Sequence, residues 1–272
     1  MQGLPEFVPT DQKAAYLNAL LQVGFHTLDA GSFVSPKAIP QMRDTARVLE
    51  SLQFNGSDTR LLAIVANARG ATQAADFPEI SYMGFPLSVS ETFQQRNTNR
   101  SVEEALDTVA EIQEICEEAG KMLVVYLSMA FGNPYQEPYD PAALAGFVEK
   151  LDALEAGTIS LADTVGSTTP GLVAEVFGHL LARFPHIEFG AHFHSVPQQA
   201  AAILNAAWQA GCRRFDGAIG GMGGCPMAQN NLTGNMPTEA ILQMAEKHKA
   251  RHGLNLQAFA VAQQLKQEIF GQ

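Results

Sequence analysis

Three kinds of side chain in this sequence are spaced for metal-assisted chemistry. In AHFHS, Ala191 to Ser195, two histidines are separated by one residue inside an apolar run. A strand has a side-chain period of two, so His192 and His194 point the same way if the run is extended. Two imidazoles on one face suit a metal ion, although on spacing alone they serve equally well as packed core histidines. In GGMGGCPMAQNNLTGNMPTE, Gly220 to Glu239, the thiol of Cys225 stands in a loop flanked by Gly220, Gly221, Gly223 and Gly224. Those glycines let the backbone pass close to a ligand at positive φ. Cys225 is therefore read as displayed, whereas Cys116 and Cys212 read as small buried hydrophobes. Ten residues beyond Cys225 comes Asn235, in a Gly-Asn pair ahead of Pro237, turn chemistry at a helix entrance.

The elements that must position these groups alternate along the chain. Thr10 is expected to cap a helix carrying Leu17, Leu20 and Leu21, ended by Gly24. Strands are expected at Phe25 to Ala30, Leu61 to Val65, Ile80 to Phe85, Met122 to Met129, Thr158 to Ala162, Ile187 to His194 and Cys212 to Ile219. Helices are expected from Pro40 to about Leu52, near Ala71, from Ser101 to Gly120, from Pro141 to Leu154, from Pro170 to Phe184 and from Pro197 to Gly211. Ser101 and Glu104 have the Ser-x-x-Glu spacing of a capping box. Two further helices, Thr238 to His252 and Leu256 to Phe270, close the chain. Continuous apolar runs of strand length, followed closely by helices, are the mark of a parallel α/β fold. Asp163 and Asp29 then fall at strand ends, where each reads as an active-site carboxylate or as a simple turn residue.

Composition narrows the function. With 272 residues and 46% hydrophobic content the chain fills one large core, and we expect a single domain over residues 1–272. A formal charge of −11 argues against nucleic acid or an anionic membrane surface as partner. Three scattered cysteines fit a reducing compartment, and the N-terminus MQGLPEFVPT lacks a signal pattern, so a cytoplasmic location is expected.

The strand count is seven, one short of a (β/α)₈ TIM barrel, and such a barrel begins with a strand where this chain begins with a loop and a helix. The expected fold is α/β, a TIM barrel whose first strand is missing or lies upstream of Met1.

The cysteine loop resembles the signature of the 3-hydroxy-3-methylglutaryl-CoA lyase family, within a superfamily of metal-dependent TIM-barrel lyases and Claisen synthases. SFVSPKAIPQM from Ser32, SVSETFQQRN from Ser88, YLSMAFGNPY from Tyr126, LADTVGSTTPG from Leu161 and HFH at His192 follow in that family's order. The resemblance implies that His192, His194 and Asn235 bind a divalent ion, Mg²⁺ or Mn²⁺, and that Cys225 is the catalytic acid and base. Asp163 and Asp29 match acidic positions at strand ends, the latter a glutamate in the family. Gln2 looks like a glutamine that follows the family's strand-one Arg-Asp pair, and Lys37 could meet a coenzyme A phosphate. The Arg and Asp themselves are absent, for which an orders-of-magnitude loss of activity is expected if the chain starts at Met1. Ser195 replaces an aspartate after HxH, Val196-Pro197 replaces Tyr-Gly, and the Cys-to-Asn interval is one residue longer. The implied activity is cleavage of a 3-hydroxyacyl-CoA, foremost 3-hydroxy-3-methylglutaryl-CoA, to acetyl-CoA and acetoacetate. The alternatives are a condensing synthase, an aldolase for another hydroxy acid, or a non-catalytic or truncated relative. The partner is an acyl-CoA, and the family implies a homodimer for which the last helix, with Phe259, Val261, Leu265 and Phe270, is a candidate contact; those residues equally serve to cover the barrel bottom.

Overall fold

The strands follow one another in the sheet in the order in which they follow one another in the chain. The computed structural model describes residues 1, 4, 6–224 and 234–271; Gln2 and Cys225, two expected site residues, lie outside them. The seven strands are ordered β1-β2-β3-β4-β5-β6-β7, and the pairings resolved along them are parallel. A doubly wound sheet reverses its order at a switch point, whereas consecutive order with intervening helices is the wiring of an α/β barrel. The fold is of the TIM-barrel-like α/β type. By contact the chain divides into two compact units, Met1–Gly84 with Ile115–Met122 and Arg251–Gln272, and Phe85–Glu114 with Leu123–Ala250.

The first unit contains α1 (Thr10–Leu21), β1 (Thr27–Ser32), α2 (Thr45–Glu50), β2 (Arg60–Ile64), α3 (Ala68–Ala75) and α10 (Leu256–Phe270). Leu17, Leu20 and Leu21 of α1 are buried, as their spacing requires. Two expectations shift here. Thr10 is not the cap of α1; Pro9 is, with no side-chain bond, because the Thr10 hydroxyl donates to Asp44 Oδ2 at 2.7 Å. The helix expected from Pro40 to Leu52 is broken into a 3₁₀ turn, Pro40–Met42, and α2. Asp44, between the two pieces, also accepts from the buried Lys13 ammonium at 2.6 Å. In α10, Phe259 packs on Phe25 and Phe270 on Tyr16, with ring centroids 6.4 and 5.2 Å apart. Those two rings are thus packed within this unit, and Leu256 and Val261, 50% and 60% exposed, are large apolar residues that α10 leaves exposed.

The second unit holds the later elements. β3 (Ile80–Ser88) enters it at Phe85, and α4 (Glu91–Thr98), α5 (Val102–Glu118), β4 (Met122–Ser128) and α6 (Pro141–Ala153) follow. Next come β5 (Thr158–Asp163), α7 (Pro170–Arg183), β6 (Glu188–Phe193), α8 (Pro197–Gln209), β7 (Arg214–Phe215) and α9 (Thr238–Lys247). The capping box forms as expected: Ser101 N donates to Glu104 Oε2 at 2.8 Å and Glu104 N to Ser101 Oγ at 3.1 Å. Asp140 and Thr169 accept from the first turns of α6 and α7, each with proline at the first helical position. β7 is far shorter than the run from Cys212 to Ile219 that the sequence suggests. The chain beyond it instead bridges to a later segment, with Ala218 N donating to Met236 O and Thr238 N to Ala218 O, both at 3.0 Å.

Candidate active site at the ends of β5, β6 and β7

The two histidines share one face of β6, and the residue between them faces the other way. Phe193 packs against Phe131 and Phe177, the latter on α7, with centroids 5.5 and 6.4 Å away. The rings of His192 and His194 lie on the opposite face with centroids 5.6 Å apart. The period of two thus separates a hydrophobic anchor from a pair of imidazoles.

Each imidazole is held by its Nδ1. His192 Nδ1 lies 3.1 Å from Asp216 Oδ2, and His194 Nδ1 lies 2.8 Å from the carbonyl oxygen of Thr164. A carboxylate and a carbonyl can only accept, so both rings donate from Nδ1 and keep Nε2 as the basic nitrogen. Tyr126 stands edge-on to His192 at 5.3 Å. Burial pushes the His194 pKa down and the neighbouring His192 pushes it further, against the hydrogen bonds that the ring gives to the Thr164 carbonyl and the Asn235 side chain. A neutral imidazole is the form that ligates a metal.

Asn235 arrives by strand pairing, not by the turn its Gly-Asn context suggests. It forms an antiparallel bridge with His194, while Ser195 N donates to Gly234 O at 3.1 Å and Met236 N to Phe193 O at 2.9 Å. Its Nδ2 donates to Met222 O at 2.8 Å, which turns the amide oxygen, the acceptor, toward His194. The glycines serve this approach. A Cβ on Gly223, at φ +90°, would sit 3.0 Å from Asn235 Nδ2, and one on Gly234 2.7 Å from Gly221 O. Close approach to the Asn235 segment is therefore the role of Gly221 and Gly223, and Gly234 answers it from the other side.

Asp163, at the end of β5 and 1% exposed, spends both oxygens on its own loop: Ser167 N donates to Oδ1 at 3.1 Å and Thr168 N to Oδ2 at 2.9 Å. Burial raises its pKa, and the loop amides oppose that rise. Its carboxylate fixes the loop carrying Thr164, at the strand end where the sequence places an active-site carboxylate or a turn residue. Asp29 and Lys37 belong to the other unit. The Asp29 carboxylate accepts from Gly31 N at 3.1 Å, and Lys37 is exposed.

Asp216 and Ser160 are what the sequence reading misses. Asp216 Oδ2 accepts from the Ser160 hydroxyl at 2.8 Å as well as from His192. Burial pushes the Asp216 pKa up, but the His192 hydrogen bond, the His192 and Arg214 charges and the Ser160 hydroxyl outweigh it, and the net shift is downward. The sequence carried no signal for it, since the strand expected from Cys212 to Ile219 places Asp216 in mid-strand, whereas β7 ends at Phe215 and leaves Asp216 at the strand end where barrels carry chemistry. The two other cysteines are inert: burial pushes Cys116 and Cys212 up to about 12.

Two imidazole nitrogens and one carboxamide oxygen are a donor set that could hold a hard or borderline divalent ion. Among the described residues no three His, Cys, Asp or Glu side chains gather into a metal-binding group. The amide is thus essential to any such site built from them.

Residues 1–265 match the sequence model of the HMGL-like family. The chain is 32% identical to hydroxymethylglutaryl-CoA lyase of Bacillus subtilis over 271 residues, covering 100% of this chain and 90% of that protein. It is 34% identical to the mitochondrial hydroxymethylglutaryl-CoA lyase of Bos taurus over 258 residues, covering 94% of this chain and 78% of that protein. Its structure is similar to that of an HMG-CoA lyase from Acinetobacter baumannii in complex with coenzyme A and 3-methylmalate. The TM-score is 0.90 at 30% identity, covering 99% of this chain and 87% of that one.

Proposed function

The chain belongs to the HMGL-like family and is a carbon–carbon lyase, and we propose that it cleaves 3-hydroxy-3-methylglutaryl-CoA to acetyl-CoA and acetoacetate at the ends of β5, β6 and β7. The observation that carries this reading is the pair of Nδ1 contacts that hold His192 and His194 on one face of β6, beside Asn235. The coenzyme A complex of the Acinetobacter relative supports an acyl-CoA as substrate. The family match over residues 1–265 supports reading residues 1–272 as one domain.

In this reading His192, His194 and Asn235 hold a divalent ion, Mg²⁺ or Mn²⁺. When bound, such an ion supplies Lewis-acid polarisation of the substrate hydroxyl and carbonyl oxygens. Cleavage removes the proton of the tertiary hydroxyl, breaks the bond between carbons two and three, and leaves a thioester enolate that takes a proton at carbon two. Cys225, outside the described residues, is proposed as the group that exchanges that proton, since a thiol of ordinary pKa about 8.5 can give and recover one near neutrality. Asp163 acts from behind by setting the loop whose Thr164 carbonyl orients His194. Asp29 is proposed as a further acid–base carboxylate, and Lys37 and Gln2 as substrate contacts, Lys37 through a coenzyme A phosphate.

A homodimer using the exposed Leu256 and Val261 of α10, and a cytoplasmic location, complete the proposal. No helix among the described residues is long and apolar enough to cross a membrane.

The test is turnover. Purified protein with 3-hydroxy-3-methylglutaryl-CoA and Mg²⁺ or Mn²⁺ is expected to release acetoacetate, and EDTA to abolish the release. Condensation of acetyl-CoA with a 2-oxo acid in place of cleavage would overturn the assignment in favour of a synthase, and neither reaction would favour a non-catalytic relative.

A further inference from the structure

We propose that Asp216 is the positioning residue of His192, locking that imidazole with its proton on Nδ1 so that Nε2 is the donor presented to the divalent ion, and that Ser160 holds Asp216 in place for this task. The proposal deepens the metal reading above and rests on it.

The two histidines reach the same tautomer by unequal means. His194 leans on a neutral carbonyl, that of Thr164 at 2.8 Å, whereas His192 leans on an ionisable carboxylate at 3.1 Å. A carboxylate behind a ligating imidazole both orients the ring and raises the basicity of its other nitrogen, and removing such a partner costs about 10–100-fold in metal affinity.

The backbone puts Asp216 where this requires. β6 and β7 run in parallel register, with Ala191 opposite Phe215, and Asp216 N continues the pairing by donating to Ala191 O at 3.0 Å. The side chain thereby stands beside His192, one strand over.

Ser160, on β5, reaches the same carboxylate oxygen at 2.8 Å from the other side. β5 pairs with β6 so that Ser160 lies opposite Gly190, and Gly190 lies opposite Arg214. A Cβ on Gly190 would stand 2.9 Å from Ser160 Oγ and 3.1 Å from Arg214 Cδ. The missing side chain makes room for the hydroxyl and the arginine stem at once. Arg214 NH1 donates to Glu188 Oε2 at 2.8 Å and its charge also acts on Asp216, while Asp216 Oδ2 accepts from both His192 and Ser160.

The deciding measurement needs no metal. In ¹⁵N-labelled protein at mildly alkaline pH, two-bond ¹H–¹⁵N correlations of the imidazoles report the tautomer directly. His192 is expected as Nδ1–H in the wild type. Asp216→Asn is expected to turn it to Nε2–H, because the amide can offer N–H to Nδ1, the wrong-tautomer outcome known when asparagine replaces a carboxylate behind a catalytic histidine. His194 is expected to stay unchanged. Mn²⁺ affinity, read by electron paramagnetic resonance, is expected to fall about 10–100-fold. Ser160→Ala, a milder change at the same oxygen, is expected to populate Nε2–H in part and to serve where Asp216→Asn does not fold. If His192 keeps its Nδ1 proton and Mn²⁺ affinity is unchanged in either folded variant, the proposal is overturned. A wild-type protein that binds no Mn²⁺ would overturn the metal reading, while the tautomers would still decide the role of Asp216.

Discussion

Two polar networks in this chain look alike in composition and differ in what they leave unspent. Around Lys13 the charged groups are answered from within the chain. Lys13 is 2% exposed and its ammonium donates to Asp44 Oδ1 and to the Gln41 carbonyl, Asp44 Oδ2 takes the Thr10 hydroxyl, and Gln41 Oε1 takes the Val8 amide at 3.1 Å. Around His192 the hydrogen bonds of the described residues engage Nδ1 and not Nε2, and the imidazole is 32% exposed. A saturated network staples one segment to another, as here the stretch before α1 is stapled to the turn before α2. A network that orients a group and stops short of satisfying it is built for something that arrives later.

The contrast is broken if the two networks respond alike to truncation. The largest effect is expected at Lys13. Lys13→Met leaves Asp44 buried without its counter-charge and should lower unfolding free energy by about 3–5 kcal/mol in denaturant titration. Mn²⁺ affinity of the folded fraction should be unchanged. Next, His194→Ala should reduce cleavage of 3-hydroxy-3-methylglutaryl-CoA by at least about 10²-fold, a loss comparable to removing one electrostatic catalytic group, with a small change in melting temperature. The opposite pattern, an unstable but active His194→Ala, would make the pair structural.

Smaller effects sharpen the comparison. Gly190→Ala overpacks the crossing of Ser160 and Arg214 and should cost about 1–3 kcal/mol in stability by the same titration. If the folded fraction also binds Mn²⁺ more weakly, the packing beneath Asp216 and the orientation of His192 are one system. The smallest effect belongs to an exposed pair outside both networks. The Ser101 hydrogen bonds hold the Glu104 pKa below the usual carboxylate range. A depressed carboxylate stabilises above its unfolded pKa, and that contribution is lost as pH falls through the folded one. Glu104→Gln should therefore flatten the acid side of the stability curve slightly and leave neutral-pH metal binding untouched.

What could be read from the chain was what local chemistry decides. Pro141, Pro170 and Pro197 open helices, Ser101 and Glu104 form their box, and the alternation about Phe193 sends His192 and His194 to one face. α4 escaped because ETFQQRNT has no apolar period, although Ser90 caps it by accepting from Phe93 N at 3.1 Å. The failures elsewhere come from partners distant in sequence. α2 is delayed because Asp44 is claimed by Lys13 and Thr10. β7 is cut short because residues near Ala218 pair with Met236 and Thr238, and Asn235 is extended for the same reason. Asp216 was passed over because no motif surrounds it, and only the register of β6 against β7 brings it to His192.

The short bridge at Asn235 also makes the sheet the reference for the site. Its carboxamide is indexed to the end of β6 by the bonds from Ser195 N to Gly234 O and from Met236 N to Phe193 O, so its placement is inherited from the backbone of β6. A change that breaks those two bonds would carry the amide away from the imidazoles even with every side chain of the site intact.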